Sequence, residues 1–229
     1  MCCGIFPTRI LFIRIKCLKI GNISENKKKE KMMTKKNLAI LLFTDVEVLD
    51  FAGPFEVFSV TNELNNHNLL NIYTLGLTTA PVLAKNGLKV VPDYAVDDCP
   101  QPDYLVIPGG SGTRALLEDQ KFIAWLTQTA PVCENILSVC SGALVLARAG
   151  LLKGLKATTH HQVFQELAAL APETEIIQNQ RFLDNGKILT SAGVTAGIDM
   201  CLYMVGRLYG EDAAMKSAQY IEYNYDPME

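Results

Sequence analysis

Histidine is scarce in this 229-residue chain: His67, His160 and His161 are all it has. None forms a ligand pair at zinc-finger or metalloprotease spacing, so no metal site is expected. Long apolar runs are absent too. No window approaches about 18 uninterrupted apolar residues, which argues against a membrane-spanning helix and a membrane partner. Cysteine occurs without a pairing pattern: Cys2, Cys3, Cys17, Cys99, Cys133, Cys140 and Cys201 are odd in number and contain no C-x-x-C. A chain of this size needs no disulfides to hold a core, so they read as reduced thiols in a reducing, cytoplasmic compartment.

Positive charge is short over most of the length. Residues 1–36 hold ten Lys or Arg against two Glu; taking these from the totals of 21 and 24 leaves 11 basic and 22 acidic residues in 37–229. A body of net −11 gives no electrostatic reason to expect nucleic acid as a partner. The first 36 residues, net +8, read as a basic extension outside a single domain that spans 37–229. Arg9, Arg14, Lys16 and Lys19 break the apolar stretch that a secretory signal needs. The lack of acid before Glu25 keeps a transit peptide open; an upstream extension, with the working start at Met32 or Met33, is the plainer reading.

From Asn37 onward strand and helix signals alternate. NLAILLFT (37–44) is an apolar run of strand length, and Phe51, Phe55, Phe58 and Leu64 recur near helical spacing over 50–64. Further strands are expected at 71–78, 104–110 and 135–140, with an irregular extended segment at 88–96, where Pro92 removes a ladder donor. Helices are expected at 113–129 and from Ser141 to Gly150; ATTH (157–160) and EIIQ (175–178) flank another. RFLDNGKILTS (181–191) reads as a hairpin around Asp-Asn-Gly, and helices at about 194–209 and 211–222 close the chain. Short apolar strands separated by helices argue for an α/β domain, its mainly parallel sheet sandwiched between helices.

In such a sheet, ligands bind beyond the carboxyl ends of the strands. Asp50 after the first strand, Gly109 and Gly110 after the third, and Cys140 after the fourth fall there together. Cys140 sits where a buried strand turns abruptly into a helix, followed by the small residues Ser141, Gly142 and Ala143. This is the pattern of a nucleophile elbow, with Cys in place of Ser. The following helix terminus would favour the thiolate and lower its pKa. A free cysteine is also commonly a small buried hydrophobe, and on the residues alone both readings stand. Asp50 has a second reading as the N-cap of the helix at 51–64. His160 is a candidate base or a pocket-lining residue, while Glu56 and Asp199 read as structural. PGGSGT (108–113) lacks the Gly-Lys-Ser/Thr ending of a phosphate loop, and no cofactor is expected.

The segments LDFAGPFEVF, YLVIPGGSGT, SVCSGALVLARAGLLKGLKATTH and TSAGVTAGIDM, in this order, resemble the ThiJ/PfpI superfamily. The resemblance covers about 37–227, including the run Glu222–Pro227, and is nearest to isonitrile hydratases and to the amidotransferase-like half of AraC-type regulators. It implies a flavodoxin-like fold and a homodimer. Cys140 matches the family nucleophile, and Gly110 and the Ser141 N–H match its oxyanion-hole donors. Asp50 matches the acidic residue beside the nucleophile of isonitrile hydratases, where glyoxalase-like relatives carry Glu. Gly109 and His160 fall in the pocket. Ser141 stands where isonitrile hydratases usually have Thr, and His161 where Trp is frequent.

The activity this implies is hydration of an isonitrile, a small-molecule substrate, to an N-substituted formamide through a Cys140 thioimidate, with Asp50 relaying protons and the Ser141 hydroxyl helping to orient water. Glyoxalase- or deglycase-like dicarbonyl chemistry and a non-catalytic ligand- or redox-sensing module are the alternatives. Protease-type relatives usually carry His after the cysteine, where this chain has Ser141, and amidotransferases need a late histidine, which does not follow His161. No helix-turn-helix region is expected before Glu229.

Overall fold

The computed structural model describes residues 35–226. The expected basic extension, apart from Lys35 and Lys36, and Pro227 of the terminal run lie outside the described residues. The first strand, β1 (Lys36–Leu42), starts one residue earlier than expected, and Leu38–Leu42 have no exposed surface. A strand covered on both faces needs apolar side chains on both, hence its continuous apolar run. Its first residue is held by charge: the Lys36 ammonium donates to Asp103 at 3.0 Å and to Glu134 at 2.6 Å.

Helix α1 (Val48–Leu64) leads to β2 (Leu70–Gly76), the short strands β3 (Val82–Leu83), β4 (Lys89–Val90) and β5 (Tyr94–Ala95), and then β6 (Tyr104–Ile107). Helices α2 (Thr113–Glu118) and α3 (Gln120–Thr129) precede β7 (Asn135–Ser138), which is followed by α4 (Gly142–Arg148). After β8 (Lys156–Ala157), α5 (Phe164–Leu170) and β9 (Glu175–Ile176) come the hairpin β10 (Phe182–Asp184) and β11 (Ile188–Ser191), then α6 (Ala196–Tyr209) and α7 (Glu211–Tyr220).

Seven strands form the sheet in the order β10-β11-β7-β6-β1-β2-β5, parallel except for β10 against β11. Helices α1, α6 and α7 pack with one another, as do α2, α3, α4 and α5, giving two helical layers around the sheet. Chain order reverses between β1 and β6, and a crevice is expected beyond their carboxyl ends.

Three local expectations change. The helix at 113–129 breaks at Asp119, whose extended backbone (ψ 94°) and side chain, accepting from Lys121 N and Phe122 N at 3.0 Å, start a new helix. The segments 157–160 and 175–178 that flank α5 contribute the two-residue strands β8 and β9, which among the described residues pair with each other outside the main sheet. The segment at 88–96 divides into β4 and β5, of which β5 edges the main sheet. The hairpin turn is as expected: Gly186 has φ 83°, and its N–H donates to Asp184 Oδ1 at 2.6 Å.

Candidate active site

Cys140 follows β7 by two residues, with φ at 57°. This left-handed conformation costs a non-glycine residue about 1–2 kcal/mol, so the surroundings must impose it. They do so from both sides of the peptide: the Cys140 N–H donates to Ala192 O at 3.1 Å, and its carbonyl accepts from Thr159 Oγ1 at 2.7 Å. The chain then enters α4 directly.

Asp50 lies in the first turn of α1 with no exposed surface. It is not the N-cap. The helix begins at Val48, so Glu47 holds that position without a side-chain bond, and Asp50 points across the crevice instead. Its Oδ2 accepts the Gly109 N–H at 3.1 Å; its buried Oδ1 accepts no well-formed hydrogen bond. The Cys140 thiol and the Val194 N–H lie against the same carboxyl group.

Burial is the main force that raises the Asp50 carboxyl to about 7, and the Glu47 charge adds to it. Burial likewise pushes the Cys140 thiol up to about 12, followed by the Asp50 charge, while the Ser141 and Val194 N–H groups offset part of the rise. The expectation of a lowered thiol is therefore reversed. A seven-residue helix supplies a modest dipole, whereas the cysteine is 8% exposed beside a carboxylate. Near neutrality the pair keeps its last proton mostly on sulfur.

Glycine is required where this floor closes. A Cβ on Gly109 would lie 2.6 Å from Ser141 N and 2.8 Å from Asp50 Oδ2, so the missing side chain lets the two loops meet. Gly109 thus belongs to the floor rather than the wall. Gly110 adopts φ 125°. Its N–H donates to Ser141 Oγ at 2.9 Å, and Ser141 Oγ donates back to Gly110 O at 3.2 Å. The hydroxyl expected to face substrate, and the N–H expected to serve an oxyanion, are engaged with each other. The N–H groups that face the Cys140 sulfur are those of Ser141 and Val194.

Above the sulfur opens a pocket of about 480 Å³, walled by Glu47, Lys85, Arg114, His160, Gln162 and Val163. His160 takes its expected place here, and no hydrogen bond joins it to Cys140 or Asp50 among the described residues. Its Nδ1 accepts the Gln162 N–H at 3.3 Å, which leaves Nε2 as the protonated nitrogen, and burial holds its pKa below the usual value. The His161 ring lies against it, tilted by 36°, with ring centroids 4.2 Å apart. Asp199 is structural, accepting from Arg181 Nε at 2.6 Å and Tyr223 OH at 2.9 Å.

Four residues of the site carried no decisive sequence signal. Glu47 and Lys85 pair at 3.1 Å across the mouth, and Arg114 bonds Glu166 at 2.5 Å. Val194 holds φ 52°, a rare state for a β-branched residue, and this turns its N–H toward Cys140 and Asp50. The segment TSAGVTAGIDM marks the neighbourhood of Val194, but nothing in it reveals the twist.

Isonitrile hydratase of Pseudomonas putida is 32% identical over 189 residues, covering 81% of this chain and 78% of that protein. The HTH-type transcriptional regulator GbdR of Pseudomonas aeruginosa is 28% identical over 176 residues, 77% of this chain but only 47% of the regulator. Among solved structures, a ThiJ/PfpI family protein from Pseudomonas syringae superposes with a TM-score of 0.76 at 32% identity, covering 90% of this chain and 82% of that one. The description of the DJ-1/PfpI family matches residues 36–207, a span that contains β1, Asp50, the Gly109–Gly110 turn and Cys140, and the chain belongs to that family.

Proposed function

We propose that the chain hydrates isonitriles to N-substituted formamides, with Cys140 as nucleophile and Asp50 as proton shuttle. The observation that carries this reading is a fully buried carboxyl, raised to about 7, set against a buried thiol at the floor of a pocket. A base whose pKa lies near the working pH is well matched to take and return a proton.

Asp50 takes the thiol proton as Cys140 sulfur attacks the terminal isonitrile carbon, and then delivers it to that carbon. A C–S and a C–H bond form, giving the thioimidate Cys–S–CH=N–R. Water adds next: Asp50 accepts one of its protons and passes it to nitrogen, leaving Cys–S–CH(OH)–NH–R. The C–S bond then breaks with its electron pair on sulfur, the hydroxyl proton returns through Asp50 to the thiol, and R–NH–CHO leaves. The sum is R–NC plus water giving the formamide, with the enzyme restored and no cofactor called on. The Ser141 and Val194 N–H groups support negative charge on sulfur in the first and last steps. We place the enzyme in the cytoplasm as a homodimer acting on a small molecule, with no nucleic-acid partner.

The test is formamide production from cyclohexyl isocyanide and from isocyanoacetate by the purified chain and by its Cys140→Ala variant, activity on either one counting as turnover. Turnover lost in the variant supports the reading. No turnover by the parent chain overturns it and favours dicarbonyl chemistry or ligand sensing, the latter motivated by the similarity to half of a regulator.

A further inference from the structure

The walls of the pocket differ from what a purely hydrocarbon isonitrile would need. A cyclohexyl or aryl group gains affinity from apolar surface. Here Lys85, Arg114, His160 and Gln162 face the space above Cys140, against two larger apolar side chains, Val163 and Val194. Two of the 11 cations of the acidic stretch 37–229 thus meet in one pocket. Among the lining residues Glu47 is the sole carboxylate, so they sum to one positive charge, set against Asp50 beneath Cys140 and Glu166 beside Arg114.

Arg114 is held in place rather than left to sweep solvent. Its Nη1 donates to Thr113 Oγ1 at 3.1 Å, and Thr113, which has no exposed surface, donates to Gly110 O at 2.8 Å. The same carbonyl accepts from Ser141 Oγ at 3.2 Å. A chain of hydrogen bonds therefore ties the guanidinium to the residue that follows Cys140. Its Nη2 donates to Glu166, which stands outside the pocket wall. These bonds use two of its five N–H donors; the side chain is 44% exposed, so the other three are open to solvent or to a ligand. The protonated Nε2 of His160 adds another donor to the same wall.

Resting on the isonitrile reading, we propose that the substrate is an isonitrile whose N-substituent bears a carboxylate, bound by Arg114 with Lys85 supplying long-range attraction. The reacting carbon meets Cys140 while the far end of the molecule reaches the guanidinium. Planar carboxylates match the fork of an arginine, and a charge-assisted bond discriminates strongly against a neutral analogue.

Two measurements test this, and they fail separately. The first compares isocyanoacetate with methyl isocyanoacetate as substrates. The acid is expected to show kcat/KM about tenfold or more above the ester, and Arg114→Gln to move the ratio toward one. Equal values, or preference for the ester, overturn the proposal. The second needs no isonitrile turnover: alkylation of Cys140 by iodoacetate against iodoacetamide, each normalised to a free thiol in solution. The normalised ratio should favour iodoacetate several-fold, fall in Arg114→Gln, and rise in Glu166→Gln, which frees the guanidinium from its carboxylate. The opposite response of the two variants separates an anion site from damage to the fold. A ratio equal to that of the free thiol in all three proteins overturns the anion site. A preference for iodoacetate with no turnover of either isonitrile upholds it and overturns the hydratase reading instead.

Discussion

Cys133 and Cys140 lie just before and just after strand β7, and burial raises both thiols, to about 11 and about 12. Their partners differ. The Cys133 thiol donates to the Pro102 carbonyl at 3.4 Å, a group that holds a hydrogen bond but cannot take the proton. The Cys140 thiol faces Asp50, which can. Cys140 also opens onto a pocket, while Cys133 lines none of those described. What sets Cys140, the proposed nucleophile, apart from Cys133 is therefore not an acidic thiol. It is a proton acceptor of suitable pKa within reach, and room for a substrate.

The sharpest way to break the comparison is to remove each sulfur in turn. Cys140→Ala should take formamide production to background, and Cys133→Ala should leave it in place while costing about 1 kcal/mol of packing. Rates with cyclohexyl isocyanide and denaturant midpoints for the two variants check this. Loss of turnover in Cys133→Ala with an unchanged denaturant midpoint would overturn the claim that an acceptor and a pocket set Cys140 apart.

Removing the acceptor comes next in size. Asp50→Asn keeps a side-chain oxygen for the Gly109 N–H but cannot carry a proton, and should lower kcat by about 10²–10⁴. The same change should stabilise the fold. Burial lifts the Asp50 carboxyl from 3.8 to about 7, so below the lower value it is protonated whether folded or unfolded. Between the two values the unfolded chain gives up the proton first, and native stability falls; above about 7 the penalty is fully present. Asparagine escapes it. Thermal melts should therefore separate as pH rises from 4 to 8, the variant gaining on the order of a few kcal/mol. Parent kcat/KM should climb through about 7 as Asp50 becomes able to accept a proton, with no alkaline fall near pH 9. A profile that falls through 7 would mean that the resting pair works as thiolate and carboxylic acid.

Why these two residues were legible, and others were not, follows from how each is placed. The Gly109–Gly110 pair and Cys140 each closely follow a buried strand, and Asp50 lies in the first turn of the helix after β1, so apolar runs stopping at a turn locate all of them from local sequence alone. The alternation of strands and helices likewise fixed the sheet and its helical layers. Lys85, Arg114 and Glu47 come from three separate segments, and what joins them is tertiary packing that no local pattern encodes. Ser141 was found but its use was not: the hydroxyl bonds Gly110 because two turns meet there, which depends on the closeness allowed at Gly109. The raised thiol pKa is hidden from sequence because a helix start is visible there, whereas burial against a carboxylate is not.

Two smaller changes test the backbone contacts that set Cys140 apart. Gly109→Ala drives a methyl against Ser141 N, and backbone cannot move aside as a side chain can. About 1–3 kcal/mol of stability should be lost, and kcat should fall further than KM rises, since the Asp50–Cys140 floor is what shifts. At Ser141 the geometry distinguishes structure from chemistry. Ser141→Ala leaves the Gly110 N–H buried without its acceptor, at about 1–3 kcal/mol. Ser141→Thr keeps the hydroxyl, and the residue's 4% exposure leaves little space for the added methyl beyond what the pocket side offers. If the hydroxyl serves Gly110 alone, Thr should hold both the melting temperature and kcat close to the parent, while Ala lowers the melting temperature and retains most of kcat well below it. A fully stable Ala variant with a large loss of kcat would assign the hydroxyl to the substrate instead.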